Sequence, residues 1–378
     1  MRKALIITCN DRYDYNTRTK YVEVALKENG YMVEHLLSDF DHRSKKPYKA
    51  ERSGTIHYLH VPAYSKNLSI KRIWSHIRFG QQVKDFVDSA DYDLLYHCAP
   101  PNYTIMKLSK SKKKKDFKLI TEIGDMWPES IPMGKGLKRV LQIPFSIWAG
   151  FRDKFLYNSD SVIAECDLFR DTIKQNSGID HVQTLYFCKE FTGIGRALSY
   201  TSGEVVNLCY LGSINNIIDV DMIGKVLQTM AERVSVIFHI IGDGENRQTL
   251  VDVAEKSGAK VHYWGMVYDE EVKKSIFDKC HYALNIMKPE VFVGMTMKSL
   301  DYFSAGIPLI NNIGGDIWKI VDAEKVGINI SVDDYKEQIS GLLDLTPEQY
   351  RNLCDNVKET HRKHFSVDCV SETISSLL

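Results

Sequence analysis

The sequence predicts an α/β protein made of two doubly wound domains, each around a parallel sheet. Three observations carry this. Short apolar runs alternate with helical stretches of about 10–15 residues, the signature of βαβ units. The alternation stops at residues 190–205, which are rich in Gly, Ser and Thr, and then restarts. A length of 378 residues suits two domains at about 100–200 residues each. The expected domains are 1–190 and 206–360, with ligands in the cleft at the carboxyl ends of the strands.

Each element has its own warrant. Residues 3–9 are nearly all apolar, as a strand buried on both faces requires. A helix over 16–29 is closed by Gly30. Residues 31–37 form the next strand, and the polar stretch 39–52 reads as a loop. Strand 55–61, helix 69–89 and strand 93–98 follow. Strand 118–123 runs directly into Gly-Asp-Met-Trp-Pro-Glu-Ser, and strand 161–165 precedes helix 168–175. The second half begins with strand 207–211 and its following Gly212-Ser213. Helix 221–231, strand 234–241 and the turn Gly242-Asp243-Gly244 come next. Helix 247–257, strand 261–264, helix 270–278 and strand 282–286 continue the series. Helix 297–305 is stopped by Gly306 and Pro308, strand 309–311 follows, and the tail from Pro347 is helical.

Charge narrows the function classes. The chain has 49 Lys and Arg against 49 Asp and Glu. Balanced charge disfavours a protein that coats nucleic acid. The balance hides an asymmetry: residues 1–190 hold 31 basic against 23 acidic side chains, and the remainder 18 against 26. A basic half suits an anionic membrane or an anionic substrate. No run reaches the roughly 18 apolar residues of a membrane span. The N-terminal apolar run is too short for a signal peptide and reads as the first strand of a cytoplasmic protein. The eight cysteines show no Cys-x-x-Cys pair, so free, buried thiols are expected and zinc is not.

The segment most suggestive of chemistry is GMTMKSLDYFSAGIP, residues 294–308. A helix starting near Thr296 points unpaired N–H groups outward, which makes an anion site. Gly294 lets a phosphate approach the chain, with Met295, Thr296 and Met297 beside it. Lys298 puts a cation in the first turn, where the helix dipole opposes it unless an anion is near. Asp301, one turn on, is placed to accept from ribose hydroxyls. An amphipathic helix with a solvated lysine fits the same spacing. Gly212-Ser213 and Gly242 are turns that would admit a diphosphate, or turns alone.

Taken together these segments resemble a GT-B glycosyltransferase, close to glycosyltransferase family 4 of bacterial surface-polysaccharide synthesis. YLGSI, then FHIIGDGENRQTL and AKVHYWGMV, resemble the family's nucleotide-sugar domain in order and spacing. MKSLDYFSAGIPLINN resembles its Pro-Ser-Lys-x-x-Glu-Tyr-x-Ala-Ala-Gly-x-Pro helix and strand. In the first half, GDMWPES and SDSVIAECDLFRDTI resemble the family as well. The resemblance implies two Rossmann-like domains and a C-terminal helix, 361–378, returning to the N-terminal domain. It implies that Lys298 holds the leaving diphosphate, Asp301 the ribose, and Gly212 and Ser213 the diphosphate flank. Met266 and Val267 would line the base pocket, and Asp125 would orient the acceptor hydroxyl. Arg18 and Lys288 are further candidates for acceptor or phosphate contact; a solvated surface cation is the plainer reading of each. Three departures stand: Val293 takes the place of the family's first Glu, Asp301 replaces a Glu, and GSINNIID lacks the Arg and Lys often found there.

A second pattern lies at 135–155. Leu137, Val140, Leu141, Trp148, Phe151 and Phe155 fall largely at helical spacing, and Pro144 is expected to kink or divide the helix. Lys135, Lys138, Arg139, Arg152 and Lys154 flank this stripe. An apolar stripe edged with cations suits a membrane interface; a core-facing helix fits the same letters. The cationic run 110–115 reads as a solvated loop.

The expected activity is transfer of a sugar from a nucleotide-sugar, with a UDP-sugar as donor, to a lipid-linked saccharide in surface-polysaccharide assembly. Transfer is expected to retain anomeric configuration and to need no metal or other cofactor. The expected location is cytoplasmic, peripheral on the inner face of the membrane. Two other readings fit: a nucleotide-sugar epimerase, which would need no acceptor, and a non-catalytic subunit binding saccharide or a partner.

Overall fold

The computed structural model describes residues 1–14, 17–48, 54–131, 135–193 and 205–378, with the backbone alone at 135, 137 and 138. Most of the 190–205 stretch, part of the 39–52 segment, and the side chains of Lys135, Leu137 and Lys138 therefore lie outside the described residues. The chain divides into two units, Met1–Tyr186 with Val367–Leu378, and Phe187–Ser366.

The first unit contains β1 (Arg2–Thr8), α1 (Arg18–Glu28), β2 (Tyr31–Ser38), β3 (Phe40–Asp41), β4 (Lys46–Pro47) and β5 (Ile56–Leu59). Then come α2 (Ile70–Ser89), β6 (Leu94–Ala99), α3 (Asn102–Lys112), β7 (Lys118–Ile123), α4 (Lys135–Val140) and α5 (Gln142–Asp153). The series closes with β8 (Ser161–Ala164), α6 (Asp167–Ser177) and β9 (Val182–Thr184). Among the described residues its main sheet is parallel throughout, in the order β5-β2-β1-β6-β7-β8-β9. Leu5, Ile7, Leu95 and Leu119 are almost wholly buried, as strands covered on both faces by helices must be.

Three local readings change. The segment expected to be a loop contains a small antiparallel hairpin, β3 with β4. The lysine run is not a solvated loop: Lys110 and Lys112 close α3, Lys112 Nζ bonds Asp160 at 2.6 Å, and Lys115 Nζ bonds the carbonyls of Val87 and Ala90. The helix at 135–153 divides at Leu141, ahead of Pro144. The proline sits in the first turn of α5, where its missing N–H costs nothing.

The second unit contains β10 (Val206–Leu211), α7 (Val220–Ala231), β11 (Val236–Ile241), α8 (Arg247–Lys256), β12 (Lys260–Gly265), α9 (Glu270–Phe277) and β13 (Tyr282–Asn285). It continues with α10 (Met297–Ser304), β14 (Leu309–Asn311), α11 (Asp316–Glu324), β15 (Gly327–Asn329), α12 (Tyr335–Leu343) and α13 (Pro347–His364). Its sheet is parallel, in the order β12-β11-β10-β13-β14-β15. Leu208, Tyr210, Phe238, Tyr282 and Leu284 form its core with Tyr350 of α13. Each such side chain contributes about 1.5–3 kcal/mol by burial.

The order of both sheets reverses beside their first strand, between β1 and β6 and between β10 and β13. Open α/β sheets bind ligands beyond the carboxyl ends of strands at such switch points. A capping box, Thr346 with Gln349, starts α13. Residues 361–364 end that helix instead of opening the last one. The final helix, α14 (Val367–Ser376), packs on α1 in the first unit, where Asn29 Nδ2 bonds Ser375 Oγ at 2.9 Å.

Candidate functional site

The second unit's switch point is built from two interlocked loops and one helix start. Gly212 N donates to Ile241 O at 2.9 Å, and Ile214 N to Asp243 O at 2.9 Å. The approach is so close that a Cβ on Gly242 would stand 2.0 Å from the carbonyl oxygen of Gly212. Gly242 has φ +138°, in the region that favours glycine. Its glycine is therefore explained by loop packing. Gly212, at φ +129°, differs: among the described residues nothing lies within 4 Å of where a Cβ there would stand. Lys288 N donates to Ile217 O at 2.9 Å, which ties the stretch after β13 to the same loop.

The start of α10 is fixed from below. Asn285, Asn311 and Asn329 stand in register at the ends of β13, β14 and β15. Asn285 Nδ2 bonds Asn311 Oδ1 at 2.8 Å, and Asn311 Nδ2 bonds Asn329 Oδ1 at 2.7 Å. Asn285 Oδ1 accepts from the Thr296 hydroxyl at 3.2 Å, and Thr296 Oγ1 caps α10 by accepting from Ser299 N at 3.1 Å. From above, the Tyr302 hydroxyl accepts from Leu211 N at 2.7 Å, which pins the helix to the end of β10. Ile317 N donates to Gly294 O at 3.0 Å, which holds the loop ahead of the helix. Met295 is buried beside it and Met297 is exposed.

On this frame Lys298 is only 7% exposed, not the solvated lysine that the spacing also allowed. Among the described residues its Nζ has no hydrogen-bond partner, and it lies 4.7 Å from the centre of the Tyr210 ring. Burial pushes its pKa down to about 7. A cation–π contact returns about 0.5–2 kcal/mol, whereas an unpaired buried charge costs several. The contact does not offset the burial. An ammonium so placed, at the N-terminus of a helix, fits an anionic ligand. The Tyr210 hydroxyl donates to Ser213 O at 3.1 Å, so Lys298, Tyr210 and the Gly212-Ser213 loop form one connected set.

Asp301 is differently engaged. Its carboxylate is paired with Lys189 Nζ, and Lys273 Nζ stands 3.6 Å away. Burial opposes the charge of Lys189, yet Asp301 and Glu270 more than offset this and raise its pKa. Asp301 thus serves an ion-pair network; the chain spacing alone gave no sign of Lys189, which is 112 residues away. Met266 is exposed and Val267 half-buried beyond β12, and Gly265 O accepts from Gly242 N at 2.8 Å, beside the interlocked loops.

In the first unit, Asp125 follows β7 and accepts from the Ser130 hydroxyl. Burial raises its pKa. Its loop is held by Asn102, whose Nδ2 bonds Trp127 O at 2.8 Å, and by Arg152. Arg152 is fully buried, bonds Trp127 O at 2.9 Å and clasps Glu129 at 2.7 and 3.0 Å. It is therefore a loop anchor and not a cation edging a surface stripe. Arg18 is not the solvated surface cation that its letters also allowed: it is 4% exposed and pairs with Glu122 at 2.9 Å. That ion pair accounts for its charge.

Comparison with known proteins defines the class. Residues 206–346 match the glycosyl transferases group 1 family. A sucrose-phosphate synthase from Thermosynechococcus elongatus aligns over 100% of this chain and 98% of its own, at 14% identity and TM-score 0.71. WaaG, a glycosyltransferase involved in lipopolysaccharide biosynthesis, aligns over 99% of both chains at 11% identity and TM-score 0.64. HepE from Anabaena, solved in complex with UDP-glucose, aligns over 100% and 99% at 13% identity and TM-score 0.63. None of the curated proteins matches by sequence. The fold is GT-B, two parallel-sheet α/β units. With a group 1 domain in its second unit, the chain is a glycosyltransferase.

Proposed function

We propose that the protein transfers a sugar, with retention and without a metal, from a UDP-sugar to a lipid-linked saccharide in surface-polysaccharide assembly. One observation carries this reading: the buried ammonium of Lys298 at the start of α10, unpartnered among the described residues. As the bond to the sugar breaks, negative charge collects on the diphosphate. Lys298 and the first N–H groups of α10 are aimed where that charge develops, the kind of fixed stabilisation that lowers a barrier most. Gly212 leaves room for the phosphates beside the loop that Tyr210 holds. Asp125, in the first unit, orients the acceptor hydroxyl. A UDP-sugar is supported by the UDP-glucose complex of HepE, and a surface-polysaccharide acceptor by the involvement of WaaG in lipopolysaccharide biosynthesis.

Membrane contact is assigned to the outer face of α4 and α5. Val140, Ile143 and Ile147 are exposed there, Ile143 by 75%. Trp148 and Phe151 face the other way, onto His76 and Tyr103. Arg139 on α4 and Lys154 just past α5 are exposed cations. No helix among the described residues is long and apolar enough to cross a membrane. Incubation with UDP-glucose and UDP-galactose, with and without a membrane lipid extract, tests the reading. Sugar should move only when the extract is present; donor converted to an epimer without it would favour epimerisation.

A further inference from the structure

We infer that the first unit holds an acidic group of the acceptor, a phosphate or a carboxylate, between Arg72 and Lys45. Arg72 lies in the first turn of α2, three residues after the cap Ser69, and no acidic residue shares that turn. A cation there opposes the helix dipole, as Lys298 does in α10. Arg72 is 3% exposed. Its Nη1 donates to Asn67 O at 3.1 Å, and its guanidinium lies 3.9 Å from the Trp127 ring and 5.6 Å from the Tyr64 ring. Its Nε has no hydrogen-bond partner among the described residues. Lys45 stands at the turn of the β3–β4 hairpin in the left-handed region, with φ +58°. Its Nζ donates to His42 O and Asn67 Oδ1, each at 2.6 Å.

The two cations thus share one neutral residue, Asn67, and among the described residues neither has a carboxylate within ion-pair distance. Nearby charges do not cancel them. Asp41 is held by Arg12 at 3.3 Å, by the Ser44 hydroxyl at 2.6 Å and by Arg43 N at 2.8 Å. Asp125 is held by Ser130. His42, bonded to the Tyr64 hydroxyl at 2.6 Å, is kept neutral by burial and by Arg72 and Lys45, with its pKa pushed down to about 4. Aromatic faces return less than burying a guanidinium costs. The field of Arg72 reaches Cys9, just past β1, and Asp125, just past β7. The cluster therefore lies toward the carboxyl ends of the strands, where this class of sheet binds ligands.

That the anion belongs to the acceptor rests on the transferase reading above; the anion site itself does not. A diphosphate linking saccharide to lipid and the carboxylate of an acidic sugar share the needed chemistry. Calorimetry on full-length Lys298→Ala, which removes the second unit's cation, with inorganic pyrophosphate and with glucuronate, tests the site. One of the two should bind, and adding Lys45→Gln or Arg72→Gln should weaken it about tenfold or more. Lys45 is a half-buried turn residue, so its variant keeps the test open if the Arg72 variant misfolds. Lys45→Gln with Lys298 intact should keep its thermal response to UDP. Binding of neither anion, or affinity unchanged by both substitutions, overturns the site. A wild type that binds pyrophosphate but ignores UDP would instead overturn the transferase reading and leave the site standing.

Discussion

The ammonium of Lys298 stands 4.7 Å over the ring of Tyr210 with no hydrogen-bond partner among the described residues. A buried cation held that way weakens the unliganded fold, and this has a pH signature. In the folded chain its pKa is about 7, against about 10.4 when unfolded. Between those values the unfolded state binds more protons, so stability rises with pH by about 1.4 kcal/mol per unit from this group. The contribution is fully present above the unfolded value and lost as pH falls to 7. Lys298→Met should therefore melt higher than wild type at pH 7, and the gap should close toward pH 10. A gap constant from pH 7 to 10 would contradict the burial.

The two glycines of the interlocked loops should respond differently to alanine. Gly242→Ala drives a Cβ to 2.0 Å from Gly212 O, so a loss of about 3 kcal/mol or more is expected in denaturant melts. Gly212→Ala meets no atoms and carries only backbone strain, about 1–2 kcal/mol. Equal losses would show that the loops are not packed as described.

Asp301 is expected to act through its lysines. Asp301→Asn and Lys189→Met should each lower stability by about 1 kcal/mol, and the double variant should lose less than the sum. Additive losses would mean that the pair does not form. A fall in UDP affinity without loss of stability would instead restore the direct ribose role that the resemblance implies.

The membrane face separates from the buried arginine. Ile143→Asp with Ile147→Asp should abolish flotation with anionic vesicles and leave the melting temperature unchanged. Arg152→Met removes the buried ion pairs to Glu129 and Asp153, so it should cost about 3 kcal/mol and leave flotation intact. Flotation by the aspartate pair at low salt would remove the assignment.

What the letters made legible follows from period and punctuation. Residues 118–123 and 309–311 are strands as read, and Thr296 caps the helix it was expected to start. α3 escaped because its lysine-rich surface masks buried Ile105 and Leu108. Strands β9 and β15 escaped because three residues carry no period, and Val-Gln-Thr and Gly-Ile-Asn each hold one apolar residue where the Leu-Ile-Asn of β14 holds two. At the site, Lys298 was legible from its misplaced charge. Arg72 carries the same sign in the first turn of α2 and could have been found by the same rule. The pairs Asp301–Lys189, Arg18–Glu122 and Arg152–Glu129 were not legible, since each joins residues distant in the chain.

The most direct measurement is thermal shift of wild type and Lys298→Met with UDP, GDP, ADP, dTDP and CMP. A ligand at a hundredfold excess over its Kd stabilises by about 2.7 kcal/mol. The expected result is a clear rise for wild type with UDP and little or none for Lys298→Met. No rise with any nucleotide, or an equal rise in both proteins, would contradict Lys298 as the diphosphate-binding cation.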